Sequence, residues 1–372
     1  MKKITFLKPL LLSLSLFCAV NFGFGQCGIG TATWDGTNWN WNNGTPQNTI
    51  PTIGTTSEVI INGLYITNLS SFQTSFSTCG LRVTSSGQLI VADNTFIEVQ
   101  NDITVDSNGI FAVQSYGAVV QINDSATVIN SGEMFVIKKS APANAWYEYT
   151  YWNSPVSNET IGGGLEESNI YRRFSFTAQN FLDATAETGN NNATVAGQDD
   201  VDDNGDDWKG LSGAAPMLPG VGYAATHAPT VFAFSPGNQI DYVFEGEFNN
   251  GVISVPVYRN DASALDKNWN FIGNPYPSAI SVASFFAQNI YNATTNPTGT
   301  LEGAIYYWSQ NTPPSNALNG NETSNFSNSD YAMFNGTGGS AGDDLITPNA
   351  YTPSGQGFLY HSLKLDQLIL AT

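Results

Sequence analysis

Val83–Val91 reads V-T-S-S-G-Q-L-I-V, and Val105–Val113 reads V-D-S-N-G-I-F-A-V. The two stretches stand 22 residues apart, and Val, Ser, Gly and Val coincide. At the same step Asn101-Asp102 falls on Asn123-Asp124, Ile97 on Val119 and Leu81 on Ile103. One step earlier Val59-Ile60-Ile61 falls on Leu81-Arg82-Val83, and one step later Ser131-Gly132 follows Asn108-Gly109 with a slip of one residue. Each unit therefore holds three very short strands separated by polar corners. So small a unit cannot bury an apolar face alone and must stack on its neighbours. The spacing predicts a short parallel β-helix, or solenoid, over residues 58–139. Inside it Leu89 stacks on Phe111 and Val91 on Val113, while Asn101 and Asn123 form an amide ladder. Gly87 and Gly109 are expected to turn corners that need positive φ. The competing arrangement is a β-sandwich whose periodicity is accidental.

A solenoid ends in unpaired strand edges that require a cap. The preceding residues, 26–57, carry Trp34, Trp39 and Trp41 among Asn, Gly and Thr. They read as that cap; the alternative is a platform on which sugars stack. A spacer at 140–145 then ends the repeat. From Trp146 to Thr372 the pattern changes to alternating aromatic runs bounded by Gly, Pro and Asn: Tyr147, Tyr149 and Tyr151; Phe174 and Phe176; Tyr242 to Phe244; Ile305 to Trp308. Period-two runs of this kind are antiparallel strands. The fold class expected is all-β, the solenoid being followed by an antiparallel β-sandwich domain of jelly-roll type over 146–372. One short helix is expected over Ser278 to Asn289, after Pro277. Gly162-Gly163-Gly164 lacks the Lys-Ser/Thr of a phosphate loop and reads as a flexible turn.

Composition limits the address and the partners. Among 372 residues, 31 are Asp or Glu and 12 are Lys or Arg, a formal charge of −19. No basic stripe exists to displace counterions, so nucleic acid is excluded as a partner. Residues 1–25 read as a signal peptide, with Lys2, Lys3 and Lys8 before the apolar run Pro9 to Val20 and small residues at Gly23 and Gly25. Their removal makes the chain more acidic still, and no later run is long and apolar enough to be a transmembrane segment. It also leaves Cys27 and Cys79, an even pair that in an exported protein is expected to form a disulfide.

Few residues point to chemistry. The two histidines, His227 and His361, sit in no nucleophile or metal pattern, and no G-x-S-x-G or H-E-x-x-H occurs. The chain is therefore read as not an enzyme. The one chemical constellation is D-D-V-D-D-N-G-D-D, Asp199 to Asp207. Asp200, Asp202, Asn204 and Asp206 alternate around Gly205 as in the first half of a calcium loop. The twelfth position is Leu211 rather than a bidentate Glu, so Asp343 or Asp344 would complete the shell. The two readings are a Ca²⁺ site and a solvated acidic loop.

Four blocks occur in order: Y-T-Y-W-N-S-P-V (Tyr149 to Val156), M-L-P-G-V-G-Y (Met217 to Tyr223), W-N-F-I-G-N-P-Y-P-S-A-I (Trp269 to Ile280) and G-Q-G-F (Gly355 to Phe358). Together they resemble secreted, adhesin-like proteins of Gram-negative bacteria (Bacteroidota) that use the type IX secretion system. The resemblance implies a secreted or cell-surface location and brings no catalytic residues. Similar proteins continue past G-Q-G-F to a terminal sorting domain. Here Thr372 follows too soon for one, so the C-terminus reads as truncated and the location as periplasmic if that is genuine. The function expected is that of a non-catalytic adhesin-like structural or interaction protein. A carbohydrate-binding accessory for polysaccharide capture, with glycans or cell-surface polymers as partners, is the first alternative. A polysaccharide-active enzyme on the β-helix is the second.

Overall fold

A computed structural model of the chain describes residues 26–179, 207–259, 269–318, 326–363 and 366–370. Residues 1–25, read as the signal peptide, and Asp200, Asp202, Asn204 and Asp206 lie outside the described residues.

The N-terminal half is a three-faced parallel β-solenoid. On the first face Gly30–Trp34, Thr56–Ile61, Leu81–Val83, Ile103–Val105 and Val128–Asn130 run parallel. The second face stacks Leu64–Ile66, Gln88–Val91, Ile110–Val113 and Glu133–Lys139. The third stacks Phe76–Thr78, Phe96–Val99 and Ala118–Gln121. The register is the one the repeat predicts, with Val83 opposite Val105, Phe111 opposite Leu89 and Val113 opposite Val91. All six of these side chains are fully buried. A strand of three or four residues gains only about 1.5–3 kcal/mol per buried aliphatic side chain, comparable with the cost of ordering its backbone. Continuous columns along the stack make each rung a neighbour's missing half.

The corner glycines serve a purpose other than the one expected. Gly87 and Gly109 do not have positive φ; the left-handed residue is Asn108, at φ 66°. A Cβ on Gly87 would lie 2.2 Å from the carbonyl oxygen of Ile61, and one on Gly132 would lie 2.3 Å from that of Gly109. Glycine recurs because successive rungs touch backbone to backbone at this corner, leaving no volume for a side chain.

The first edge is closed by Trp39–Trp41, which folds back antiparallel on Gly30–Trp34. Trp34 and Trp39 are buried against Tyr65 and Phe76, and their indole Nε1 groups donate to the Leu64 and Phe72 carbonyls at 2.8 Å. The disulfide Cys27–Cys79 pins this segment to the rungs. It closes a loop of 52 residues, for which chain entropy gives about 4 kcal/mol.

The far end is not a domain boundary in the packing sense. Asp241–Glu245 extends the second face by pairing antiparallel with Glu133–Lys139. The spacer 140–145 is bound in place: Ser140 N donates to Ile240 O and Ala143 N to Asn238 O. One apolar core runs from Ala32 through Phe111 and Val136 to Tyr242, Phe244 and Phe248, with the Phe111 and Phe248 rings 5.0 Å apart.

Beyond this weld the strand pairs among the described residues are antiparallel, apart from an isolated parallel bridge between Ile290 and Leu301. A four-stranded sheet orders Tyr149–Trp152, Tyr223–His227, Ser168–Phe176 and Trp208–Gly210. A five-stranded sheet orders Trp269–Gly273, Gly357–His361, Ala304–Trp308, Tyr331–Asn335 and Gly338–Ser340. Period-two alternation gives the latter two unlike faces. Ile272, Phe358, Tyr360, Ile305 and Tyr307 bury against the helix Val282–Asn289. Phe271 and Leu359, on the other face, meet Tyr151 and Ala224 of the four-stranded sheet. The helix starts later than expected because Ile280–Ser281 pairs with Tyr351–Thr352 as a strand and Ser281 then caps it, accepting from Ser284 N. Gly162-Gly163-Gly164 is likewise not a loose turn. It lies in a short helix, Ile161–Gly164, capped by Thr160 and held by Gly162 N donating to Gly213 O at 2.8 Å.

Candidate functional site

The four sequence blocks meet at one place. Asn153 N donates to Gly355 O at 2.8 Å, Gly355 N to Asn274 O at 3.1 Å and Asn274 N to Gln356 O at 3.0 Å. Gly222 N donates to Phe271 O and Gly273 N to Gly220 O, so the second block joins the third. Asn153, Asn274 and Tyr276 are completely buried. The Asn274 amide donates to the Ser278 and Thr352 carbonyls at 2.8 and 3.0 Å while its Oδ1 accepts from Tyr276 N at 3.0 Å. Tyr276 OH lies 2.6 Å from the Gly251 carbonyl and 2.8 Å from that of Leu370, its single proton shared between them, and burial raises its pKa. The glycines are forced by proximity: a Cβ on Gly222 would lie 2.4 Å from the Phe271 ring, and one on Gly273 2.5 Å from Asn153 Cβ. The bonds before Pro275 and Pro277 are trans. Pro277 O accepts from Val119 N, so this junction also seals the third face of the solenoid. It is a buried hydrogen-bond knot in which Asn153 and Asn274 use both their backbone and their side-chain amides.

The residues singled out for chemistry are dispersed. His227 is buried, its Nδ1 2.8 Å from Tyr242 OH, and burial lowers its pKa to about 4. That environment stabilises a neutral structural imidazole. Asp343 accepts hydrogen bonds from Thr312 Oγ1 and Ser329 Oγ, which hold its carboxyl below the ordinary range. Asp344 Oδ1 accepts from Ile346 N at 2.8 Å. Asp343 thus ties its loop to the segments carrying Thr312 and Ser329, while Asp344 orders its own turn. Among the described residues no group of three or more His, Cys, Asp or Glu side chains is placed to hold a metal ion. The four ligands read from the acidic loop are not among those residues.

The aromatic alternation carries more than strand signals. Cross-strand register puts Trp269 opposite His361, Phe271 opposite Leu359, Tyr306 opposite both Leu359 and Met333, Trp308 opposite Tyr331, and Ala304 opposite Asn335. All of them share one face of the five-stranded sheet. At one end that face is covered: Tyr151 stacks on Trp308 at 5.7 Å and packs on Phe271 at 4.5 Å, and its OH lies 2.8 Å from Tyr331 OH. Toward the other end it opens into a concavity of about 310 Å³ lined by Glu302, Gly303, Ala304, Tyr306, Asn335 and His361. There the His361 ring lies 3.7 Å from Trp269, Trp269 meets Tyr306 edge-on at 5.0 Å, and His361 Nδ1 is 3.1 Å from Glu302 Oε2. Burial, then the Glu302 charge, raises the pKa of Tyr306. Sequence reasoning did not assemble this site. Its signal was parity, the aromatic and polar residues falling on matching positions of four strands, and strand order was needed to use it.

The molecule is thus an all-β protein in which a capped parallel solenoid is welded to antiparallel sheets, and among the described residues no helix is long and apolar enough to cross a membrane. Residues 33–368 match the family model described as "Domain of unknown function (DUF8693)", and the chain belongs to that family. No curated protein and no solved structure matches it.

Proposed function

We propose that the chain is a non-catalytic, exported interaction protein of adhesin type, which presents a rigid β surface outside the cell. The observation that carries this reading is the junction of the four blocks. The most distinctive residues of the chain, Asn153, Asn274, Tyr276 and the glycines around them, are spent on locking the antiparallel sheets to one another, and Pro277 beside them accepts from Val119 N of the solenoid. Rigidity of that kind suits a protein that must hold a surface in shape. Hydrolysis at neutral pH needs a tuned acid and base, an activated nucleophile or a metal-bound water. The histidines are engaged instead with Tyr242 in the core and with Glu302 at the surface. The acidic composition and the leading segment 1–25 support export and soluble display.

The test incubates purified protein with a broad polysaccharide panel and measures new reducing ends and unsaturated products. No turnover is expected on any polymer. Turnover abolished by replacing one Asp or Glu pair with amides would overturn the reading.

A further inference from the structure

We infer that the open end of the aromatic face, lined by Tyr306, His361, Glu302 and Asn335 and backed by Trp269, is a binding site for neutral glycans. This deepens the reading above and rests on it, since a site that holds without turnover is what such a surface would present.

Three properties of the site converge on a sugar. First, a pyranose has faces of C–H groups that pack on aromatic rings, while its edges are hydroxyls that demand hydrogen bonds. Tyr306 supplies an amphipathic wall of that kind in the concavity, and Trp269, edge to face with it at 5.0 Å, backs that ring. The His361 ring, 3.7 Å from Trp269, braces it from the neighbouring strand.

Second, the polar groups at the rim are of complementary type. Glu302 offers a carboxylate, which accepts hydrogen bonds only. Asn335 offers a donor: its Oδ1 already accepts from Thr337 N at 2.8 Å and Gly338 N at 3.1 Å, which orients its amide nitrogen as the group available to a ligand. A sugar hydroxyl both donates and accepts, so one acceptor and one donor beside an aromatic wall match adjacent hydroxyls on a ring.

Third, size and charge narrow the class. The concavity of about 310 Å³ stands at the small end of ligand sites, which suits the edge or terminus of a glycan. The chain's formal charge of −19, together with Glu302 in the site, disfavours uronates and sulfated sugars. The larger concavity, about 520 Å³ and lined by Glu167, Val231, Phe234 and Asp241 among others, lacks this convergence. Its aromatic residue, Phe234, is 88% exposed and braced by no second ring in the wall.

The experiment titrates the full-length protein with neutral gluco-, manno-, galacto- and xylo-oligosaccharides and with oligouronates. It follows tryptophan fluorescence and calorimetric heat at low and high salt. At least one neutral series is expected to bind at millimolar concentration or tighter, with a Kd that high salt leaves within twofold, since screening acts on charges. Tyr306→Ala is expected to weaken that binding at least tenfold. Asn335→Asp keeps the Oδ1 acceptor that the turn requires and reverses the donor, and is expected to weaken it several-fold at an unchanged melting temperature. The inference falls if no neutral oligosaccharide binds, if oligouronates bind better, or if a folded Asn335→Asp protein binds like the parent. The proposed function falls separately, on turnover, so the two failures are distinguishable.

Discussion

The solenoid and the antiparallel region reach similar burial by opposite means. In the solenoid, neighbours in space are one repeat apart in sequence, and each contact recurs: Val83 on Val105, Leu89 on Phe111, Asn101 to Asn123. In the antiparallel region the decisive contacts are unique and distant, as when Asn274 bonds Thr352 across 78 residues. Repetition spreads cohesion over many equivalent contacts, whereas the junction concentrates it in a few buried amides. The same substitution should therefore have unlike effects in the two halves.

The largest effect is expected from Asn274→Ala. It removes two donors and one acceptor from a completely buried site and strands the carbonyls of Ser278 and Thr352 and the amide of Tyr276. Unsatisfied buried groups cost about 1–3 kcal/mol each, so the three together should cost the variant roughly 3–9 kcal/mol in urea unfolding. A cost equal to that of a solenoid asparagine would erase the contrast.

Next is a pH effect where the halves join. His227 is held neutral by burial, with a folded pKa of about 4 against an ordinary 6.5. Between those values the unfolded chain binds the extra proton, so stability rises with pH across that window and is complete above it. As pH falls from 6.5 toward 4, the native state should lose about 3 kcal/mol through this group. Glu148 and Glu159, whose pKa values burial raises, give a slope of opposite sign just above the ordinary carboxylate range. The check is therefore a difference: the gap in Tm between pH 7 and pH 4.5 should shrink in His227→Gln relative to the parent. An unchanged gap would remove His227 from the account.

The smallest effect is expected from Asn123→Ala. Its amide bonds Asn101 Oδ1 at 3.1 Å and its Oδ1 accepts from Ser125 N at 3.0 Å at a solvated corner. Water can replace both partners, so the loss should be about 1 kcal/mol or less by equilibrium unfolding. A cost approaching that of Asn274→Ala would show that the ladder, too, concentrates stability.

The two halves were also unequally legible. A strict spacing translates directly into parallel register, which is why the rungs, their inward residues and the Asn101–Asn123 ladder could be read from residue numbers. The glycine corners were located correctly but explained wrongly, because close approach between rungs is invisible until the rungs are stacked. In the second half, alternation identified strands but not their neighbours. Trp269, Tyr306, Asn335 and His361 become one site only when the sheet order is known, and neither composition nor spacing contains that order. The Asn-Pro-Tyr-Pro block was distinctive as a pattern, yet its purpose emerges only from partners such as Gly355 and Thr352, far along the chain.

The antiparallel strand Asp241–Glu245 on the last rung has a consequence for how the molecule is made. Ser140, at the end of that rung, is matched by Ile240, a hundred residues later in the chain. A polypeptide that emerges N-terminus first completes its rungs long before this strand arrives. During that interval Glu133–Lys139 is a bare edge, a template for any passing strand. Order of emergence thus makes the solenoid wait for a latch carried by the second half, and a chain interrupted between the two would be prone to add a foreign strand in its place.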